Sequence, residues 1–346
     1  MTASASAPLA LVGAGSLGQA FAALLAQSGQ AVTLLATTGT TARLHEAGAI
    51  RLRGVVSLEI RVAPAPALAG AVGVTADPSR LPRGAGVIFT TKGHQLAAAI
   101  QVVRAAWPAP GDDAAWIGGV QNGVLKDDLL AAAFGPERVV GAVTILGAER
   151  QADGRVAVSA LGNTYLGELD GRHSARVATA VAALEKAGIP AEEPTDIRSV
   201  LWSKACNAAG VFGVSVLTRA SAPRMFRDPD LIRAYLSLVR ETAALGAAYG
   251  VGVGDYTNFP IRTYVTRPDE ETVTTLVKRG LLAAAGGKGV ETLPSMTQDL
   301  LAGRALEVDE VFGDLVERAD RAGVFVPRLC LVRDLLRGLD PGRHQT

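Results

Sequence analysis

The stretch LALVGAGSLGQAFAALLAQSGQAVTLLA, residues 9–36, decides the fold. It opens on a short apolar run, breaks at Gly13, Gly15 and Gly18, carries apolar residues at helical spacing over 17–28, and ends in a second apolar run at Leu35. Alone, a G-x-G-x-x-G spacing says little. Set between a strand and a helix, with another strand following, it is the βαβ unit that binds a dinucleotide. Each glycine answers a separate demand: Gly13 the tight turn, Gly15 the approach of backbone to pyrophosphate, Gly18 the close packing of helix on strand. The helix N-terminus adds N–H donors and partial positive charge. Gly13, Ala14, Gly15, Ser16, Leu17 and Gly18 are therefore the expected phosphate cradle. A tight turn without a ligand is the plainer alternative.

The residues after the second strand bear on which dinucleotide binds. An NAD site usually places Asp or Glu there for the ribose 2′-hydroxyl. This chain has ATTGTTARL over 36–44: no acid, hydroxyls beginning at Thr37, and Arg43 further on. Nothing there repels a 2′-phosphate, so NADP(H) is the expected cofactor, with Thr37 among its contacts.

Working outward, 346 residues suit two or three domains, and 49% hydrophobic content with 19% charged residues suits sizeable cores. A net charge of +1 without basic or acidic blocks gives no reason to expect nucleic acid or an anionic membrane as partner. The start, MTASASAPLA, lacks the charged region of an export signal, and a cytoplasmic protein is expected. Cys206 and Cys330 have no metal-ligand spacing and read as buried small hydrophobes.

The first half alternates strand-like and helix-like runs, which predicts a parallel sheet covered on both faces. Over 138–169 the pieces RVVGAVTIL, GRVAVSA and NTYLGEL are all strand-like, and could extend the sheet or form an antiparallel edge. After a helix ending at the Gly-Ile-Pro of 188–190, helical patterns dominate, with helices expected over 196–218, 229–249, 269–282 and 307–323. The expectation is an α/β dinucleotide-binding domain over 1–175 and an all-α domain over 190–346.

Polar residues stand where such a sheet binds ligands, beyond the carboxyl ends of its strands. VIFTTKGHQ places Lys92 there and WIGGVQNG places Asn122, although Asn-Gly also suits a turn. In LWSKACNAAGVF, residues 201–212, Lys204 falls on the stripe of Ile197, Val200, Leu201, Ala208 and Val211. A lysine there either snorkels to water or, with its pKa lowered by desolvation, serves as a general acid. In PSMTQDLLAGRALEVDE, residues 294–310, Glu307 heads a helix and Ser295 stands where an N-cap would.

Four pieces, the glycine loop, TTKGHQ with QNG, LWSK and PSMTQDLLAGRALEVDE, resemble the 2-dehydropantoate 2-reductase (ketopantoate reductase) family in order and spacing, and the likeness covers essentially the whole chain, from GAGSLG to GVFVPRL. The resemblance implies a Rossmann domain followed by an all-α, 6-phosphogluconate-dehydrogenase-like domain, with the active site in the cleft between them. It implies NADPH-dependent reduction of a 2-keto acid to the (R)-2-hydroxy acid, and a homodimer is expected. On that likeness Lys204 is the general acid, and Glu307 binds the substrate hydroxyl, assists the lysine and reaches the cofactor. Ser295 holds the carboxylate, and Asn122 and Lys92 line the nicotinamide end.

The family commonly carries asparagines four and eight residues after the lysine. Here Ala208 and Phe212 stand there, with Asn207 one residue early but still on the lysine's face. Two alternatives follow: a D-2-hydroxyacid dehydrogenase for a more apolar 2-keto acid, and an NADP(H)-binding regulator without turnover. Retention of Lys204 and Glu307 speaks against the regulator.

Overall fold

A computed structural model describes residues 7–67, 69–107, 114–285 and 293–344. The stretch 1–6, where an export signal would begin, lies outside them. The chain forms two compact units: Met1–Gln121 with Lys126–Arg198, and Asn122–Leu125 with Ser199–Thr346.

In the first unit the strands are β1 (Leu9–Val12), β2 (Val32–Leu35), β3 (Ala49–Gly54), β4 (Leu58–Pro64), β5 (Ala71–Thr75), β6 (Ala85–Phe89), β7 (Ala114–Gly119), β8 (Val140–Thr144), β9 (Gly147–Arg150), β10 (Val156–Ala160), β11 (Thr164–Glu168) and β12 (Ala191–Glu192). Helices α1 (Ser16–Gln27), α2 (Thr38–Ala47), α3 (Gly93–Ala106), α4 (Leu125–Phe134) and α5 (Ala175–Lys186) connect them. One sheet runs β7-β6-β1-β2-β5-β4-β3-β10-β9. Its first six strands are parallel, as expected. Strand order reverses around β1, flanked by β2 and β6, and such a switch point is where these sheets bind ligands.

Both faces of the sheet are covered. Leu9 and Leu11 enter one hydrophobic core, with α1 and α5, while Ala10 and Val12 enter the other, with α3. This is the two-residue period of a strand buried on both sides.

The remaining strands depart from the all-parallel expectation. β3 and β4 form an antiparallel hairpin, and β10 joins β3 in parallel and β9 antiparallel. The hairpin alternates buried Ile50, Leu52, Ile60 and Val62 with outward charged residues, a half-exposed pattern that fully buried parallel strands lack. Strands β8, β11 and β12 form a separate sheet. The strand-like pieces of 138–169 thus do both things considered for them, because β10 extends the main sheet while β8 and β11 pair antiparallel elsewhere.

The second unit is helical: α6 (Ile197–Thr218), α7 (Ala222–Met225), α8 (Pro229–Ala248), α9 (Ile261–Thr266), α10 (Asp269–Ala285), α11 (Ser295–Leu301), α12 (Asp314–Ala322) and α13 (Pro327–Leu339). A two-residue-per-strand hairpin, β13 (Asp255–Tyr256) and β14 (Phe259–Pro260), is its one sheet among the described residues. α6 begins in the first unit and continues into the second. It is long and apolar enough to cross a membrane, but 78% of its apolar window is buried within the protein. Glycines let α8 close on it, since a Cβ at Gly210 would strike the Tyr235 ring and one at Gly213 would strike Leu238.

The helix expected over 307–323 is interrupted. Residues Asp309–Gly313 form a π-helical turn before α12 resumes the α-helical pitch. Such turns insert one residue and recur at functional sites. Of the two free cysteines Cys206 is buried as expected, whereas Cys330 is half-buried because it lies beside the buried stripe of Leu329, Val332 and Leu336 in α13.

Candidate active site

The glycine loop meets each demand placed on it. Gly13 has φ +115, where a side chain is strained, and a Cβ would lie 2.8 Å from the Thr91 backbone nitrogen. At Gly18 a Cβ would come within 1.9 Å of the Gly13 carbonyl oxygen, so only glycine lets α1 approach β1 this closely. At Gly15 a Cβ would meet nothing within 4 Å. That open face is the room a pyrophosphate needs. α1 starts at Ser16 with no side-chain cap and no acid in its first turn, leaving the N–H groups around Ser16, Leu17 and Gly18 to an anion. The residues present fit a dinucleotide.

Side chains that sequence reading passed over brace this loop. Thr90, just beyond β6, donates its hydroxyl to the Gly13 carbonyl at 2.6 Å. Gln19 donates to the Ala14 carbonyl at 2.8 Å. Gln121, just beyond β7, donates to the carbonyls of Phe89 and Thr91 at 3.1 Å each, and its own Oε1 is sealed without a partner. The available signal was polar residues abutting apolar strands. Lys92 caps α3 at the end of β6, its backbone N–H reaching the Gln95 side chain. Thr37 caps α2, accepting from the Thr40 N–H, so part of its hydroxyl's capacity serves the helix.

Four of the expected substrate-site residues, and Lys204 with them, fall in the second unit. Asn122 belongs there because 122–125 packs with it: a Cβ at Gly123 would lie 2.7 Å from the Glu310 carbonyl oxygen. Lys204 stands two turns into α6. It keeps part of its surface open, yet protein crowds its ammonium, and burial lowers its pKa to about 8. Among the described residues it has no hydrogen bond or ion pair, so no counter-charge offsets that burial. Asn207, one turn on, accepts at its amide oxygen from the Tyr235 hydroxyl at 3.0 Å.

Ser295 is not the N-cap that its position suggested. Pro294 takes that place and α11 begins at Ser295, whose exposed hydroxyl therefore caps nothing. α11 is tied to α6 through Thr297 and Ser215, a buried hydroxyl pair at 2.7 Å. Glu307 is 4% exposed and lies just ahead of the π turn, its carbonyl accepting from the Val311 N–H. Two contacts fix its approach: Arg304 donates to the Asp299 carboxylate at 2.8 Å, and the Asp340 carboxylate accepts from the Leu306 N–H at 2.9 Å. Ala208 and Phe212 are buried, at 2% and 6% exposure.

The profile of the ketopantoate reductase PanE/ApbA family matches residues 9–171, and that of its C-terminal domain matches residues 196–340. The chain belongs to the ketopantoate reductase family. It is thus an oxidoreductase, and a nicotinamide dinucleotide is the cofactor the family and the loop imply. A 2-dehydropantoate 2-reductase from Halobacterium salinarum is 27% identical over 326 residues, 94% of this chain and 96% of that one. In fold, the chain is similar to the 2-dehydropantoate 2-reductase of Geobacter metallireducens (TM-score 0.77, 22% identity, 96% and 99% of the two chains). It is also similar to D-mandelate dehydrogenase solved with NADH (TM-score 0.72, 18% identity, 96% and 98%). A dimeric ketopantoate reductase from Staphylococcus aureus shares the fold at TM-score 0.69, 19% identity, with 96% and 98% covered.

Proposed function

We propose that this protein reduces a 2-keto acid to the (R)-2-hydroxy acid with NADPH, most simply 2-dehydropantoate to (R)-pantoate in pantothenate biosynthesis. The observation that carries this reading is Lys204: a crowded ammonium with no partner among the described residues, whose pKa burial lowers to about 8, in the unit that also holds Asn122, Ser295 and Glu307.

Reduction of a ketone needs a hydride and a proton. The nicotinamide, when bound, supplies the hydride to the carbonyl carbon. Lys204 donates to the carbonyl oxygen and gives it a proton as charge develops there. The lysine is left neutral and regains its proton from solvent. Ser295 holds the substrate carboxylate with its uncommitted hydroxyl, and Glu307 accepts from the hydroxyl of the product. Asn122 and Lys92 steady the nicotinamide end, and Asn207 adds a donor amide beside the lysine, its oxygen being occupied by Tyr235. A homodimer fits this reading, as the dimeric relative supports, and so does a cytoplasmic location.

A second reading has a specific observation in its favour. Ala208 and Phe212 replace two amides with apolar surface, which weakens selection for a hydroxylated substrate and favours a bulkier, more apolar 2-keto acid. Steady-state NADPH consumption with 2-dehydropantoate and a panel of 2-keto acids, with NADH in parallel, decides between them. Strong preference for 2-dehydropantoate supports the first reading, preference for aryl or branched keto acids supports the second, and no turnover with any of them defeats both.

A further inference from the structure

The end of β2 offers neither an acid for a ribose 2′-hydroxyl nor an arginine for a 2′-phosphate. A pocket in the first unit is lined by α2, the helix that follows that strand end. On one side are Thr40 and Arg43, from the first turns of α2. On the other are Arg150, Asp153 and Arg155, where β9 turns into β10, and Arg51 of β3 joins them. The pocket also reaches Gln19, whose side chain is bonded to the glycine loop.

Its charge is out of proportion to the protein. Four arginines face one aspartate, a surplus of three positive charges in a chain whose net charge is +1. The arginines are not equally committed. Arg155 is paired with Asp153 at 2.6 Å and Arg51 with Glu59 at 3.1 Å. Arg43 donates only to the neutral Thr40 hydroxyl, at 2.8 Å, and Arg150 has no hydrogen bond or ion pair among the described residues. Two guanidinium groups without a carboxylate among the described residues, lining one pocket from two separate elements, suit a phosphate monoester, whose oxygens accept the paired N–H groups of an arginine fork.

Position selects which phosphate. In a dinucleotide fold the ribose 2′-oxygen sits at the end of the second strand. Thr40 and Arg43 follow that end by one and two helical turns, and Gln19 connects the pocket to the turn beneath the pyrophosphate. We propose that this pocket holds the 2′-phosphate of NADPH, with Arg43 and Arg150 as its clamp. The β9–β10 turn thereby supplies from a distant part of the sequence the cation missing from the strand end. The proposal rests on the reading of the chain as a nicotinamide-dependent reductase.

The test is equilibrium binding to the full chain, by calorimetry and nucleotide fluorescence, for wild type, Arg43→Ala and Arg150→Ala. The probes are NADPH, NADH, adenosine 2′,5′-bisphosphate, adenosine 5′-monophosphate and inorganic phosphate. We expect wild type to prefer the 2′-phosphorylated member of each pair. Each substitution should weaken NADPH and the bisphosphate about tenfold or more, the worth of one charge-assisted bond, while NADH and the monophosphate change less than about twofold. Equal losses for NADPH and NADH, or no loss for NADPH in either variant, overturn the proposal. So does arginine-dependent binding of inorganic phosphate that does not compete with NADPH, which would make the pocket a site for a free phosphate. If the pocket fails while keto acid reduction persists, the reductase reading stands. If arginine-dependent NADPH binding is found without any keto acid turnover, the pocket stands and the reductase reading falls.

Discussion

Two lysines of this protein are withdrawn from water, and they have been treated in opposite ways. Lys126, in the first turn of α4, is 3% exposed and grips the neighbouring Asp127 with both carboxylate oxygens, at 2.7 and 2.8 Å. Lys204, in α6, is crowded by protein and has no such partner among the described residues, and its pKa has fallen to about 8. A paired ammonium serves the fold. An unpaired one holds its proton loosely and is available for transfer. Burial of a lysine is thus a poor signal by itself, and burial without a counter-charge is a strong one.

Replacing the two lysines by methionine, which keeps most of the volume, should separate these roles. Lys204→Met is expected to lower keto acid turnover by about 10²–10⁴-fold, the usual worth of a positioned acid, with NADPH affinity retained. The same change should stabilise the protein by up to about 3–4 kcal/mol at neutral pH, from a pKa shift of 10.5 to about 8 at roughly 1.4 kcal/mol per unit. The sign follows from linkage. Between pH 8 and 10.5 the unfolded chain holds the lysine proton and the folded chain releases it, so wild-type stability gains with rising pH through that window. The variant lacks this gain, and denaturant titrations at neutral and alkaline pH measure the difference. A variant that is both slow and less stable would show that Lys204 is structural, as Lys126 is.

Lys126→Met should do the reverse. It takes the ammonium away from the buried Asp127 carboxylate and is expected to destabilise by about 3–5 kcal/mol, read by thermal or urea unfolding, with turnover per folded molecule unchanged. Equal stability would mean that the pair is dispensable and the contrast between the lysines smaller than the geometry suggests.

The smallest effect concerns pH and rate. Keto acid reduction needs the protonated lysine and should be flat up to about pH 8, then fall about tenfold per unit above it; oxidation of the hydroxy acid should rise through the same range. A reduction rate that stays flat well above pH 9 would remove Lys204 as proton donor.

How much of this was legible in the sequence depended on whether a function resides in backbone or in side chains. The glycine loop was readable because its constraints are steric and local: Gly13, Gly15 and Gly18 each sit where one extra carbon would strain, fill or collide. The β3–β4 hairpin was readable too, since residues 49–64 alternate apolar and charged, and so was α13, which opens with Pro327 and buries Leu329, Val332 and Leu336; both went unrecognised. The stripe through Lys204 was less informative than it looked. Ser203, Cys206 and Ala209, off that stripe, are as buried as the residues on it, so periodicity could not say which way the lysine faces. Nor could spacing show that Tyr235 occupies the Asn207 oxygen, or that the β9–β10 turn shares a pocket with α2, because those neighbours are set by tertiary packing.

The π turn at Asp309–Gly313 has a consequence for how such a site changes over generations. It holds one residue more than the α-turn it replaces, so the chain ahead of it is rotated by about 100° from the direction a regular helix would give. Glu307 lies in that rotated segment. A single-codon insertion or loss is therefore enough to re-aim the carboxylate while α12 keeps its packing; on the role proposed for Glu307, the helix start is a place where substrate preference can drift without the fold being risked.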